Sequence, residues 1–408
     1  METSITESIS APSSDASNGG TWQIAGFVYF TCICYLSIGL PLAILPAYVH
    51  LRMGFSATLA GLVISIQYIA TFLSRPWAGH ISDRAGAKIS VLWGMAACTV
   101  SGMFLLAAPM VHRMPWASLA ILIASRLVLG VGESLGSTGA TLWGITSAGP
   151  EHTAKVISFN GIATYGALAL GAPLGVVLVQ QWGLALVGLV TVAIGAVSFV
   201  VATRKAPVPV IPGGKHLPFR AVLVQVLPHG TGLALGGVGY SVLATFVTLF
   251  YASRHWNGAA LCLTAFGVAF IAARLAFIQT INRFGGFPVG MVCLVVESLG
   301  VLMLWRAASP WAAFGGAALT GFGFSLVFPA LGVEAVLRVP EQNRGTALSV
   351  YTVFADVSFF LVGPIAGAII GAFGYASAFL FALICVAASL GIVIVLAGAA
   401  KRSGAIAS

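Results

Sequence analysis

Charge is what this chain has least of. Of its 408 residues only 7% are Asp, Glu, Lys or Arg, and just ten are acids, whereas 59% are hydrophobic. A soluble domain carries about 25% charged residues, so a water-covered exterior is excluded and an integral membrane protein is expected. Cations exceed acids by nine, yet they are spread singly through short segments. No basic helix or patch forms, which argues against nucleic acid as a partner. Cysteine is also sparse, and Cys32, Cys34, Cys98, Cys262, Cys293 and Cys385 all sit inside apolar runs. None has zinc-site or disulfide-framework spacing, so they read as small packing residues and no metal site is expected. Neither G-x-x-x-x-G-K-[ST] nor H-E-x-x-H occurs, and no cofactor is expected. G-E-S-L-G at 132–136 fits the letters of a G-x-S-x-G nucleophile turn, but that turn needs a strand before it and a helix after it. Here it lies within an apolar run, and an enzyme is not expected. The first 20 residues hold no Lys or Arg, so they lack the positive start of a secretory signal; residues 1–20 read as a disordered cytoplasmic tail.

What the chain has in abundance is long apolar runs. A crossing needs about 20 predominantly apolar residues, and twelve such runs appear. They fall near 22–46, 56–78, 88–110, 117–146, 155–179 and 184–203, then 226–251, 259–281, 287–308, 311–337, 346–371 and 374–399. With both ends inside, the cytoplasmic segments hold twelve Lys and Arg and the opposite side only Arg52, Arg113, Arg254 and Arg306. That bias places the N- and C-termini in the cytoplasm. Residues 204–220, with Pro207, Pro209, Pro212, Gly213 and Gly214 among four cations, read as a cytoplasmic linker. It separates a first six-helix bundle, 21–203, from a second, 221–399, with a short C-terminal tail at 400–408.

The two halves repeat each other. S-D-R-A-G-A at 82–87 aligns with I-N-R-F-G-G at 281–286, and the same offset carries Arg75 onto Arg274. G-V-G-E-S at 130–134 aligns with G-F-G-F-S at 321–325, P-E-H at 150–152 with P-E-Q at 340–342, and G-A-P-L-G at 171–175 with G-P-I-A-G at 363–367. Four matches in one order mark an internal duplication, and in duplicated membrane proteins the binding site lies between the repeats.

R-P-W-A-G-H-I-S-D-R-A-G-A-K at 75–88 concentrates charge and glycine between the second and third runs. It resembles the G-x-x-x-D-R-x-G-x-K signature of the major facilitator superfamily, matched by Gly79, Asp83, Arg84, Gly86 and Lys88. The resemblance extends over Trp22 to Ala399. Within it, G-L-P-L-A-I-L-P-A-Y-V-H at 39–50, A-G-L-V-I-S-I-Q-Y-I-A-T-F-L-S-R-P at 60–76, R-L-V-L-G-V-G-E-S-L-G and Y-T-V-F-A-D are similar to the YhhS-type branch of bacterial transporters. The resemblance implies an all-α fold of twelve helices in two pseudo-symmetric bundles, alternating access, and a bacterial inner-membrane location. The branch implies export of a small organic or sugar-like solute, in exchange for protons; symport into the cell, and a sensor that binds without transporting, are the alternatives. A monomer is expected. Gly171, Ala172, Pro173 and Gly175 resemble the Gly-Pro motif of the superfamily's antiporters, with Ala172 where that motif has glycine.

Charge within a span costs about 2.5–3.5 kcal/mol on insertion scales, so each instance calls for a role. Glu133 and Arg126 lie seven residues apart on one helix face and resemble the Arg-x-x-x-Gly-x-Gly stretch whose arginine is linked to proton movement. They read as a proton-coupling pair or as a static buried ion pair. Asp356 is a second coupling or substrate-binding acid, or else a partner for Arg274 or another buried donor. Glu334, close to Arg338 and Arg344, reads as an inner-gate ion pair, and Glu297 as a packing or interfacial residue on a peripheral helix. Asp83 is implied to latch onto the N-terminus of the eleventh helix, or simply to cap its own; Arg75, Arg274 and the signature residues are grouped with it as gating residues. Tyr35, Gln67, Tyr68, Trp143, Asn160, Tyr240 and Thr245 are candidate solute contacts. His229, near the start of the seventh run, reads as a capping or interfacial histidine.

Overall fold

Twelve helices long and apolar enough to cross a membrane occur among the described residues of the computed structural model; these are 14–149, 153–208, 219–277, 279–339 and 344–407. In chain order they are α1 (Ile24–Arg52), α2 (Ala57–Ser82), α3 (Ala87–Val111), α4 (Pro115–Ala148), α5 (Phe159–Trp182) and α6 (Leu184–Arg204), then α7 (Arg220–Ser253), α8 (Ala259–Phe277), α9 (Gly286–Trp305), α10 (Pro310–Val336), α11 (Val350–Phe373) and α12 (Ala376–Arg402). The expected runs coincide with these to within a few residues at most ends. Helix continues outward into both expected tails. The first helix begins at Ser14 and the last runs to Ala407, because Ala-rich and polar residues there extend the adjoining helix instead of breaking it. The expected linker is bounded by Arg204 and the helix that starts at Phe219; residues 209–218 lie outside the described residues.

Sequence sets the helix ends. Ser56 accepts the amide of Leu59 and Ser309 that of Ala312, each satisfying a donor with no intrahelical partner. The turns at 85–86 and 284–285 need a left-handed residue, and Gly86 (φ 97°) and Gly285 (φ 83°) supply it. These are paired positions of the internal repeat, so both halves make the same reversal with the same residue.

Packing divides the helices into two groups. α1 lies against α4 and α5, α3 against α4 and α6; correspondingly α9 lies against α10 and α12, and α7 against α11 and α12. Across the middle, the two most extensive contacts are α2 with α11 and α5 with α8. Since α8 repeats α2 and α11 repeats α5, these are one contact made twice. Apolar side chains such as Trp311, Phe373 and Val395 project from the outer surface, where lipid removes the cost that water would impose.

The halves touch differently at their two ends. On the face away from the chain ends, Gly61 of α2 meets Gly363 of α11, and Gly367 meets Thr58. Lacking a Cβ, these glycines bring backbone against backbone, as small residues do in membrane interfaces. His50 Nε2 and the Tyr375 hydroxyl, 3.0 Å apart, join the same two halves there. Toward the face that carries the chain ends, the halves stand apart and leave a cavity.

Candidate functional site: a cavity between the two bundles

The cavity is about 740 Å³ and is open toward the ends of α4, α5, α8 and α10 marked by Thr141, Ile157, Asn282 and Leu337. Its walls come from both bundles and are mostly apolar, with a few polar groups, the usual composition of a small-molecule site. Tyr35, Tyr68, Asn160, Tyr240, Glu133, Arg75, Arg274 and Asp356 all line it. Eight of the residues picked from sequence thus converge on one volume.

Glu133 is buried, and its Oε2 accepts from Gln67 Nε2 at 2.8 Å and from Thr71 Oγ1 at 3.1 Å. Both donors stand on α2, one helical turn apart, so a single face of that helix holds the carboxylate. Gln67 therefore supports the acid from behind, being absent from the cavity wall. Arg126 does not pair with Glu133, which corrects the expected proton-coupling pair. Seven residues put two side chains on one face but about 10 Å apart along the axis, beyond ion-pair reach. Arg126 is instead enclosed, with Nε and Nη2 unpartnered.

Asp356 pairs with Arg75, not Arg274. Arg75 Nε and Nη2 donate to the two carboxylate oxygens, the second at 2.9 Å. This bidentate fork joins α2 of one bundle to α11 of the other, and such pairs carry geometric specificity as well as energy. Arg274 stands at the repeated position on α8. Its Nη2 donates to the Ser325 carbonyl at 3.1 Å, its guanidinium lies 5.0 Å from the Phe270 ring, and its Nε has no partner.

Other expected residues fall elsewhere. Trp143 is fully enclosed and stacks on Phe30 at 5.9 Å, and Thr245 is buried away from the cavity. Both sit on helix faces that turn toward neighbouring helices. Glu334 accepts from the amides of Gly286 (2.9 Å) and Phe287 (3.3 Å), capping α9. It forms no ion pair with Arg338, because the open helix N-terminus beside it offers two unsatisfied donors; the side chain of Arg344 lies outside the described residues. Lys88 donates to the carbonyls of Thr203 and Lys205, closing the C-terminus of α6 inside the first bundle. Gly79 has open space around it and Arg84 is exposed. The side chain of Asp83 lies outside the described residues. His229 is buried with both ring nitrogens unpartnered, so it is neither a cap nor interfacial. Gly132 and Gly136, of the nucleophile-like letters, pack α4 tightly on Gly94 of α3.

Glu297 is not interfacial either. α9 shows lipid a face with Val292, Val295 and Leu299, while Glu297 points the other way and is 0% exposed. Both its carboxylate oxygens are unpartnered, and Gly239 and Gly323 leave it room where any Cβ would collide. A buried polar group without partners costs about 1–3 kcal/mol. Glu297→Met, of similar volume, is therefore expected to raise the unfolding temperature of the solubilised protein by a few degrees, on the order of that cost. An unchanged or lower unfolding temperature would show that the acid is bonded in solution.

Sequence reasoning missed the aromatic wall. Tyr165, Phe270 and Phe324 line the cavity with Tyr240, and the Tyr165 and Phe270 rings lie 3.7 Å apart. Nothing in their local sequence separates them from the many apolar neighbours. Thr71 was findable, since it follows Gln67 by one helical turn.

Two six-helix bundles with a solvent-reachable cavity between them, closed at one end by glycine contacts, define a membrane transport protein. The Major Facilitator Superfamily model matches residues 27–288 and 230–405. An uncharacterized MFS-type transporter of Burkholderia mallei (strain SAVP1) is 53% identical over 387 residues, 95% of each chain. One of Pseudomonas aeruginosa (strain UCBPP-PA14) is 53% identical over 384 residues, 94% of this chain and 95% of its own. A solved D-xylose–proton symporter superposes with a TM-score of 0.70 at 15% identity, over 90% of this chain and 97% of its own. The chain belongs to the major facilitator superfamily. It is a bacterial multi-pass membrane protein, a secondary transporter that works by alternating access, and not an enzyme.

Proposed function

We propose that the protein couples solute movement to protons by symport, taking up a small organic solute, and acts as a monomer in the bacterial inner membrane. The observation that carries this reading is that two acids, Glu133 and Asp356, line one cavity with the candidate solute contacts. A carboxyl group whose partners change between conformations can take up and release a proton. Glu133, held by Gln67 and Thr71, is the coupling acid; Asp356 and Arg75 hold the halves together while the cavity faces the chain ends. Arg126 sets the surroundings of α4 without touching Glu133. Asp83 is the inner latch, grouped with Gly79, Arg84 and Gly86 of the signature, and Arg274 belongs to the solute site.

Symport is preferred to export on two grounds. A proton symporter of similar fold places solute and proton in one molecule. The small residues at 171–175, the one sequence sign of exchange, have a packing reason: Gly171 meets Gly39, and Gly175 meets Leu40. The cation bias supports a cytoplasmic position for both termini, which makes the cavity of this structure inward-facing. The similarity to the YhhS-type branch favours export, and exchange of solute for protons is the second reading.

The direction is tested in proteoliposomes with an imposed pH gradient. Acid outside is expected to drive solute inward and to leave pre-loaded solute inside. Solute expelled by outside acid would make the protein an exchanger.

A further inference from the structure

The internal repeat leaves one charge unanswered. Arg75 on α2 and Arg274 on α8 are counterparts, and each faces the helix that crosses to the other bundle. Arg75 meets Asp356 on α11. The offset that carries Gly171 onto Gly363 carries Thr164 onto Asp356, so where Arg274 faces α5, the acid's place is taken by a threonine. Thr164 lines the same cavity, and one turn away Gly161 leaves the space that the Arg274 guanidinium fills.

Among the described residues no acid pairs with Arg274, although it is only 8% exposed and its Nε has no partner. An arginine cannot shed its proton to escape such a position. Ser325 gives it one carbonyl and Phe270 one ring face, neither of which neutralises it. Glu133, the remaining cavity acid, is held by Gln67 and Thr71. We propose that the missing counter-charge is brought by the solute: Arg274 is an anchor for a carboxylate or similarly planar anion, and the cavity takes small organic anions. The guanidinium fork suits a carboxylate, which accepts two parallel hydrogen bonds. Beside it the Tyr165, Phe270, Tyr240 and Phe324 rings offer an apolar seat for a ring-sized body. A solute so held bridges both bundles, because Arg274 belongs to one and Tyr165 to the other.

The proposal rests on the transport reading for its consequence, but binding tests it separately. The full-length protein in detergent is titrated with benzoate, its uncharged analogue benzamide, and the cation benzylamine, with the unfolding temperature as the readout. Benzoate is expected to stabilise the wild type at concentrations at least tenfold below those needed with benzamide, and benzylamine not at all. Thr164→Asp supplies the acid that the repeat lacks. It is expected to fold with an unfolding temperature no lower than wild type and to weaken benzoate binding by roughly 10–100-fold, the loss of one charge-assisted contact. Arg274→Gln should give the same loss. Equal response to benzoate and benzamide, no response to benzoate, or undiminished benzoate binding in folded Thr164→Asp overturns the proposal. Counterflow in proteoliposomes separates the two readings. Exchange of neutral solutes by a protein that ignores carboxylates refutes the anion site and leaves transport standing. Carboxylate binding without exchange of any solute does the reverse.

Discussion

Gly363→Leu is expected to stop transport in a protein that still folds. Gly363 of α11 lies against Gly61 and Ser65 of α2, on the face where the halves are closed. The contact is backbone on backbone, so no rotamer change makes room for an isobutyl group. Overpacking of this kind costs about 1–3 kcal/mol, and the cost falls only on the conformation in which this face is shut. A 1–3 kcal/mol bias shifts a two-state equilibrium about 5–150-fold, here toward opening the face that the glycines now seal. Thr58, against Gly367 in the same seam, reports the change. A cysteine placed there is expected to react with a water-soluble maleimide far faster in the Gly363→Leu protein than in its parent. Unchanged labelling with retained transport would mean that this seam never opens.

Asp356→Asn should be almost as damaging, for an electrostatic reason. The side chain of Asp356 is 5% exposed and that of Arg75 24%. Removing one partner of a largely buried pair strands the other charge, at about 3–5 kcal/mol. Transport is expected to fall below detection and the unfolding temperature to drop. Arg75→Gln combined with Asp356→Asn removes both charges, so stability is expected to recover most of the loss while transport does not. A double-mutant cycle measures the coupling. A coupling energy near zero would show that the pair does not form in the bilayer. Recovered transport in the double variant would make it a structural tie only.

The spans, the repeat and the residues of the cavity were legible in the sequence for one reason. A bilayer penalises polarity so strongly that each charge inside a span marks something built. That rule found Glu133, Asp356, Arg75 and Arg274 from one chain. It did not say which charges meet. Arg126 and Glu133 share a face, and only axial rise keeps them apart; Arg75 and Asp356 are 281 positions apart and meet because the bundles dock α2 on α11. The repeat held that second contact implicitly, since α2 with α11 and α5 with α8 are the same crossing. The capping contact of Glu334 was illegible because nearby cations are visible in sequence, whereas the open amides of α9 belong to a distant turn. Aromatic residues of the wall were illegible, since in an apolar helix the side facing a cavity and the side facing lipid use the same letters.

Proton movement driven by solute, recorded by a pH dye in proteoliposomes with wild-type protein and with Glu133→Gln, decides whether Glu133 carries the coupled proton. Glutamine keeps the volume and can still bond to Thr71, but it cannot carry a proton. A transported solute is expected to move protons through the wild type in the solute's own direction. Glu133→Gln should still exchange that solute across the membrane, with no accompanying proton. Proton movement of undiminished size in Glu133→Gln would contradict the assignment of the coupling acid, and solute movement without protons in the wild type would contradict coupling itself.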